Sequence, residues 1–267
     1  MARDGRALAF GALLFAVFAS GCGGGGASST VPTAANQPAG QPVSPATSGP
    51  TSAPAPTSTA IPFQAATQVL SHAYPNIGTP NVLPTFQPQY APNGNGLTID
   101  GYTPAYLISY GFHRDVALAI FKDGTQLQLP IGIGVLRPVI TSCAAGPGIG
   151  QPSAIDDFEV YQIHNHDHSG ILHLEPHSAI ETFKLGSLFD IWGNQPISST
   201  QVANQGGLVR VFTYNADANP PVATELAGNP YNAIFGTQNH DVMVIEINTF
   251  TPLPRYQFDP NYSNFQC

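Results

Sequence analysis

Residues 158–177, FEVYQIHNHDHSGILHLEPH, hold five of the chain's eight histidines: His164, His166, His168, His173 and His177. Asp167 and Glu175 sit among them. Neutral imidazole is the commonest protein ligand for transition metals, and carboxylates often complete such sites. The chemistry on offer is therefore metal coordination. Three imidazoles suit Zn²⁺, Cu²⁺, Ni²⁺ or Fe²⁺, and a three-ligand set leaves a fourth position for water or substrate. Two blander readings stand beside it: a polar network of core histidines, and a solvated histidine-rich turn. H-x-H alone is a weak signal. What favours the metal is the concentration of imidazole in a chain whose charged residues are only 9% of the total.

Such a site needs strands to position it. Residues two apart on a strand face the same side, so His164 and His166 point together. Folding the chain at residues 167–170 makes a hairpin. A four-residue loop pairs His164 with His173, and a two-residue loop pairs His164 with Glu175. Both registers gather His164, His166, His173 and Glu175 on one face, where opposed Cβ atoms lie about 5 Å apart. A three-residue loop splits the set. His113, on a neighbouring strand, is a further candidate ligand. His168 belongs to the turn or lies next in line, His177 follows Pro176, and His240 reads as a turn or polar cap before the last strand. Glu175 or Asp167 would be the general base if a metal-bound water were used for hydrolysis. No HExxH, G-x-S-x-G or P-loop motif accompanies them.

The remaining chain reads as export signal, tether and scaffold. In residues 1–22, Arg3 and Arg6 precede an apolar run from Ala7 to Phe18, too short to span a bilayer comfortably. Small residues then lead to Cys22. This resembles the lipobox of bacterial lipoproteins, whose cysteine becomes the lipidated first residue. That likeness implies a membrane anchored through Cys22 as partner, on the outside of the cytoplasm. Residues 23–60 contain no charged and no aromatic side chain. They cannot bury enough apolar surface to offset ordering entropy, so a disordered linker is expected.

Residues 61–96 read as an irregular lead-in, with one short helix over Gln64 to Ala73 and then five prolines from Pro75 to Pro92 that break regular structure. Residues 97–267 read as a globular α+β domain with a mostly antiparallel sheet and one short helix. Its strands are expected at Val116 to Phe121, Gln126 to Leu129, the histidine hairpin, Leu208 to Tyr214 and Val242 to Ile247. Its helix is expected at Leu185 to Trp192, and the tail 249–267 as irregular. Lys122-Asp123-Gly124-Thr125 is a hairpin turn signal. The net charge of −8, with eight basic residues and no basic stripe, argues against a nucleic-acid partner.

The run HNHDHSGILHLE, followed by FKLGSLFDIWG, resembles an uncharacterised group of bacterial and archaeal secreted proteins with the pattern HTHDxSGxIHxE and then FTLGxFFDxWG. The matching residues are His164, His166, Asp167, Ser169, Gly170, His173 and Glu175, then Leu185, Gly186, Phe189, Asp190, Trp192 and Gly193. Upstream, FHRDVALAIFKDG stands where that group has HxHAHLxIFxxG. His113 fits its first histidine, whereas Asp115 and Ala117 replace the next two. The resemblance implies a shared fold and a shared histidine hairpin, and no activity.

With Cys22 lipidated, Cys143 and Cys267 remain in an oxidising compartment, where a disulfide is the default. The alternative is Cys143 as a thiolate ligand beside the histidines. Met1 and Met243 are the only methionines, which leaves little axial-ligand material for a blue-copper site. The first functional reading is thus a lipid-anchored envelope protein that binds zinc or copper. The others are a structural module without metal, and a metal-dependent hydrolase.

Overall fold

The strand that organises the fold is buried on both faces. In a computed structural model of the chain, the described residues are 60–71, 77–92, 95–106, 112–137, 140–143, 146–149 and 159–260. They fall in one compact unit, Pro56–Cys267. Its main elements are β1 (Phe63–Leu70), β2 (Arg114–Lys122), β3 (Thr125–Leu127), β4 (Ile163–His164), β5 (Ile171–Leu174), α1 (Leu185–Ile191), β6 (Val209–Asn215), β7 (Thr224–Glu225), β8 (Asp241–Ile247) and β9 (Leu253–Phe258). Seven of these form one sheet in the order β7-β6-β8-β2-β5-β4, with β3 also paired to β2.

Antiparallel pairs dominate, but the central pair, β2 with β8, is parallel, in register Ala117↔Val242 to Lys122↔Ile247. Parallel neighbours are usually covered on both sides, and they read as nearly unbroken apolar runs. β2 and β8 do so. Val116, Leu118, Ile120, Met243, Ile245 and Ile247 face a core that includes α1. Ala117, Ala119, Phe121, Val242 and Val244 face a second core, shared with β1 and β9. The outcome is a strand-rich fold with a single α-helix among the described residues. No helix there is long and apolar enough to cross a membrane.

β2 turns into β3 through Asp123 and Gly124, whose φ angles are 49° and 79°. Two successive positive φ values make the tight turn that suits the twist of a hairpin. Helix α1 is too short to persist alone. It is held by packing: Leu185, Leu188, Phe189, Ile191 and the adjoining Trp192 are all buried. Trp192 Nε1 donates to the Pro84 carbonyl at 3.0 Å.

Two segments differ from the expectation. Residues 63–70 form a strand where a short helix over Gln64 to Ala73 was expected, inside the lead-in read as irregular. Residues 253–258, in the tail read as irregular, form the strand that pairs with it in parallel, Phe63↔Leu253 to Leu70↔Phe258. β1 carries one buried residue, Leu70, at its end, so no period marks it. Pro254 is tolerated because the pair stands outside the main sheet, at a free edge. Cys22, Cys267 and the expected linker up to residue 59 lie outside the described residues, as does the Cys143 side chain.

Candidate metal centre

The hairpin adopts the register with His164 opposite His173. β5 then pairs with β2 so that His173 lies opposite Asp115 and Leu174 opposite Arg114. One row therefore crosses three strands: His164, His173, Asp115. The next step of the same register brings Glu175 to His113, and their side chains meet at 2.7 Å. The face is the one that carries Ala117 and Ile171 of the second core.

The turn between the strands is built from alternate residues. Asn165 accepts from Ile133 N at 2.7 Å and donates to the carbonyls of Pro130 and Asp167. The Asp167 carboxylate accepts from Ser169 N at 2.8 Å, and Ser169 Oγ accepts from Ile171 N. Asp167 thus caps a turn. His168 bonds to the Leu129 carbonyl through Nδ1. The intervening His164 and His166 are left facing His173. Ring centroids are 5.1 Å apart for His164 and His166, 5.3 Å for His164 and His173, and 4.8 Å for His166 and His173. Gly134 roofs His164. A Cβ there would meet the Ile163 carbonyl oxygen at 2.2 Å and the His164 Cβ at 3.0 Å, so only glycine fits.

Beside the three rings lies a carboxylate cluster. Asp115 Oδ1 is 2.7 Å from His173 Nδ1 and 2.9 Å from His113 Nε2. His113, Asp115 and His173 each offer a ligand atom, all within 4.8 Å of one another, so this group could hold a metal ion. Asp115 is buried, at 3% exposure, and His173 at 9%. Burial by itself would lower the pKa of His113. Hydrogen bonds with Asp115 and Glu175 outweigh that and lift it to about 10. Burial works against ionisation of Asp115, but its bonds to His113 and His173 hold its carboxyl well below the ordinary range. Without a metal, His113 is therefore a cation beside the Asp115 anion.

His164 differs in kind. It is completely buried, and burial together with neighbouring His173 pushes its pKa well below the usual value. It is a neutral ring. Its Nδ1 lies 3.0 Å from the Tyr161 carbonyl, an acceptor, so Nδ1 carries the hydrogen. The lone pair is then on Nε2, a buried atom without a hydrogen-bond partner. An unmet polar atom of this kind costs about 1–3 kcal/mol.

His164, His166, His173, Glu175 and His113 are thus brought into one region. His177 lies at its exposed margin, near Gln162 and Glu181. His240 pairs with Asp217 and stacks on Phe258, with centroids 4.4 Å apart. Asp115 was not among the expected ligands. Its signal was the period of two in His113-x-Asp115, leading directly into an apolar strand. In comparisons with known proteins, no family model, no curated protein and no solved structure matches this chain.

Proposed function

We propose that this protein binds a transition metal, zinc or copper, at the histidine cluster of its β2–β5–β4 row, and that a lipid at Cys22 anchors it outside the cytoplasm of a bacterial cell. Support for the metal reading comes from the gathering of the His164, His166 and His173 rings, with centroids 4.8–5.3 Å apart, beside the buried Asp115 carboxylate. Nitrogen-rich donors favour borderline ions such as Zn²⁺ and copper over Mg²⁺ or Ca²⁺, which prefer oxygen cages. The role is to hold or hand over the ion, since Asp167 and Glu175 are engaged with a backbone amide and with His113.

A metal-free network is the second reading, and it too rests on an observation: both nitrogens of His113 already meet carboxylates. One experiment separates the two. Protein purified without a histidine tag is reconstituted with Zn²⁺ or Cu²⁺, desalted and analysed for metal. We expect about one equivalent or more, lost in His173→Ala; a content below about 0.2 equivalents sinks the metal reading. The same cells test the anchor, because Cys22→Ala should release the protein from the membrane fraction.

A further inference from the structure

We infer that the seat of the ion is the inner trio of imidazoles, Nε2 of His164 and of His173 with the ring of His166, and that Asp115 and the Tyr161 carbonyl orient two of those rings while His113 stays outside the ligand set. The inference rests on the metal-binding reading and divides the cluster into ligands and supports.

Proximity alone groups His113 with Asp115 and His173. Availability of lone pairs does not. His113 meets Glu175 at 2.7 Å through Nδ1 and Asp115 at 2.9 Å through Nε2. A metal bond to either nitrogen would break a contact with a buried carboxylate. His164 has the opposite character. Its ring is fully buried, Nδ1 is used on a backbone carbonyl, and Nε2 has no hydrogen-bond partner.

His173 likewise has its Nδ1 engaged, at 2.7 Å from Asp115. Ligating histidines commonly donate their second N–H to a carboxylate or a carbonyl, which fixes tautomer and ring orientation. Both kinds of support are present here, one on each ring. The three rings, with centroids 4.8–5.3 Å apart, are close enough to share one ion. Three neutral nitrogens without an oxygen donor select Zn²⁺ or copper, and they leave a fourth coordination position. His166 is only half-buried, so the way from solvent lies on its side.

The test uses full-length, untagged protein loaded with Zn²⁺ and examined by X-ray absorption, with affinity measured by chelator competition. The expected shell has three imidazoles, with the remaining position taken by a light non-protein donor such as water. His164→Gln should lose the ion, whereas His113→Ala should keep it at the wild-type stoichiometry. Asp115→Asn should weaken binding about 10–100-fold yet retain the three-imidazole shell once loaded, as expected of a positioning residue.

Retention of the ion in His164→Gln with its loss in His113→Ala would overturn the assignment and leave the metal-binding reading standing. So would a wild-type shell of two imidazoles and a protein carboxylate that disappears in Asp115→Asn. Absence of metal from the wild type would defeat the metal-binding reading itself. Should His164→Gln fail to fold, the wild-type shell alone decides between three imidazoles and the mixed set.

Discussion

Neighbouring residues in the turn 164–170 have opposite duties. Asn165, Asp167 and Ser169 hold backbone groups, while His164 and His166 turn to the site. Parity made the histidine half of this division legible in the sequence, because strand side chains alternate. Two things were harder to read. The period of two in His113-x-Asp115 puts both residues on one face, but that this face meets the histidine hairpin was visible only once β5 and β2 were known to pair, and the Tyr161 carbonyl is a backbone group that no side-chain pattern reports. Replacing Asn165 by Ala should cost about 1–3 kcal/mol in urea unfolding, since it strands the buried Ile133 N–H. A contrasting case lies at the surface. Glu225 pairs with Arg210 at 2.6 Å, and that bond lowers its pKa. A lowered carboxylate pKa gives stability that is present above the unfolded pKa, about 4.3, and is lost as pH falls through the folded value. Both groups are more than a third exposed, so the effect is small. Glu225→Gln should cost under about 1 kcal/mol at pH 7, and the difference should vanish in acid; an equal loss at both pH values would reject the ionic account.

Elements with local signals were the readable ones. The Asp123-Gly124 turn and helix α1 lie where composition and period put them. β1 was misread because its partner is distant in sequence and six of its eight residues are exposed. The parallel pairing of β2 and β8, inside the mostly antiparallel sheet that was expected, has a signal in the unbroken runs VALAIF and VMVI, which indicate burial on both faces. Helix α1 depends on that sheet. Leu188 is fully buried, so Leu188→Ala should destabilise the protein by about 2–5 kcal/mol. Chemical denaturation followed by the fluorescence of Trp192, the sole tryptophan, measures it.

For the whole molecule, the central sheet separates two cores, and β1 with β9 covers the one next to the histidines. The cover is tied down at Tyr214, whose hydroxyl donates to the Pro254 carbonyl at 2.7 Å and accepts from Tyr256 N at 3.1 Å. Phe258 at its far end stacks on His240, whose N–H donates to the Asp115 carbonyl. Ending the chain before Leu253 should therefore leave β1 unpaired and expose Phe212, Val242 and Val244. Enhanced ANS fluorescence and rapid proteolysis of the shortened chain, against a resistant full-length protein, would show it; equal resistance would mean the cover is dispensable. The pairing of β1 with β9 also has a kinetic side. β1 precedes every strand of the central sheet and β9 follows every one, so their pairing closes a loop that holds the whole sheet. Contacts so far apart in sequence are slow to form, so refolding should finish at this clasp.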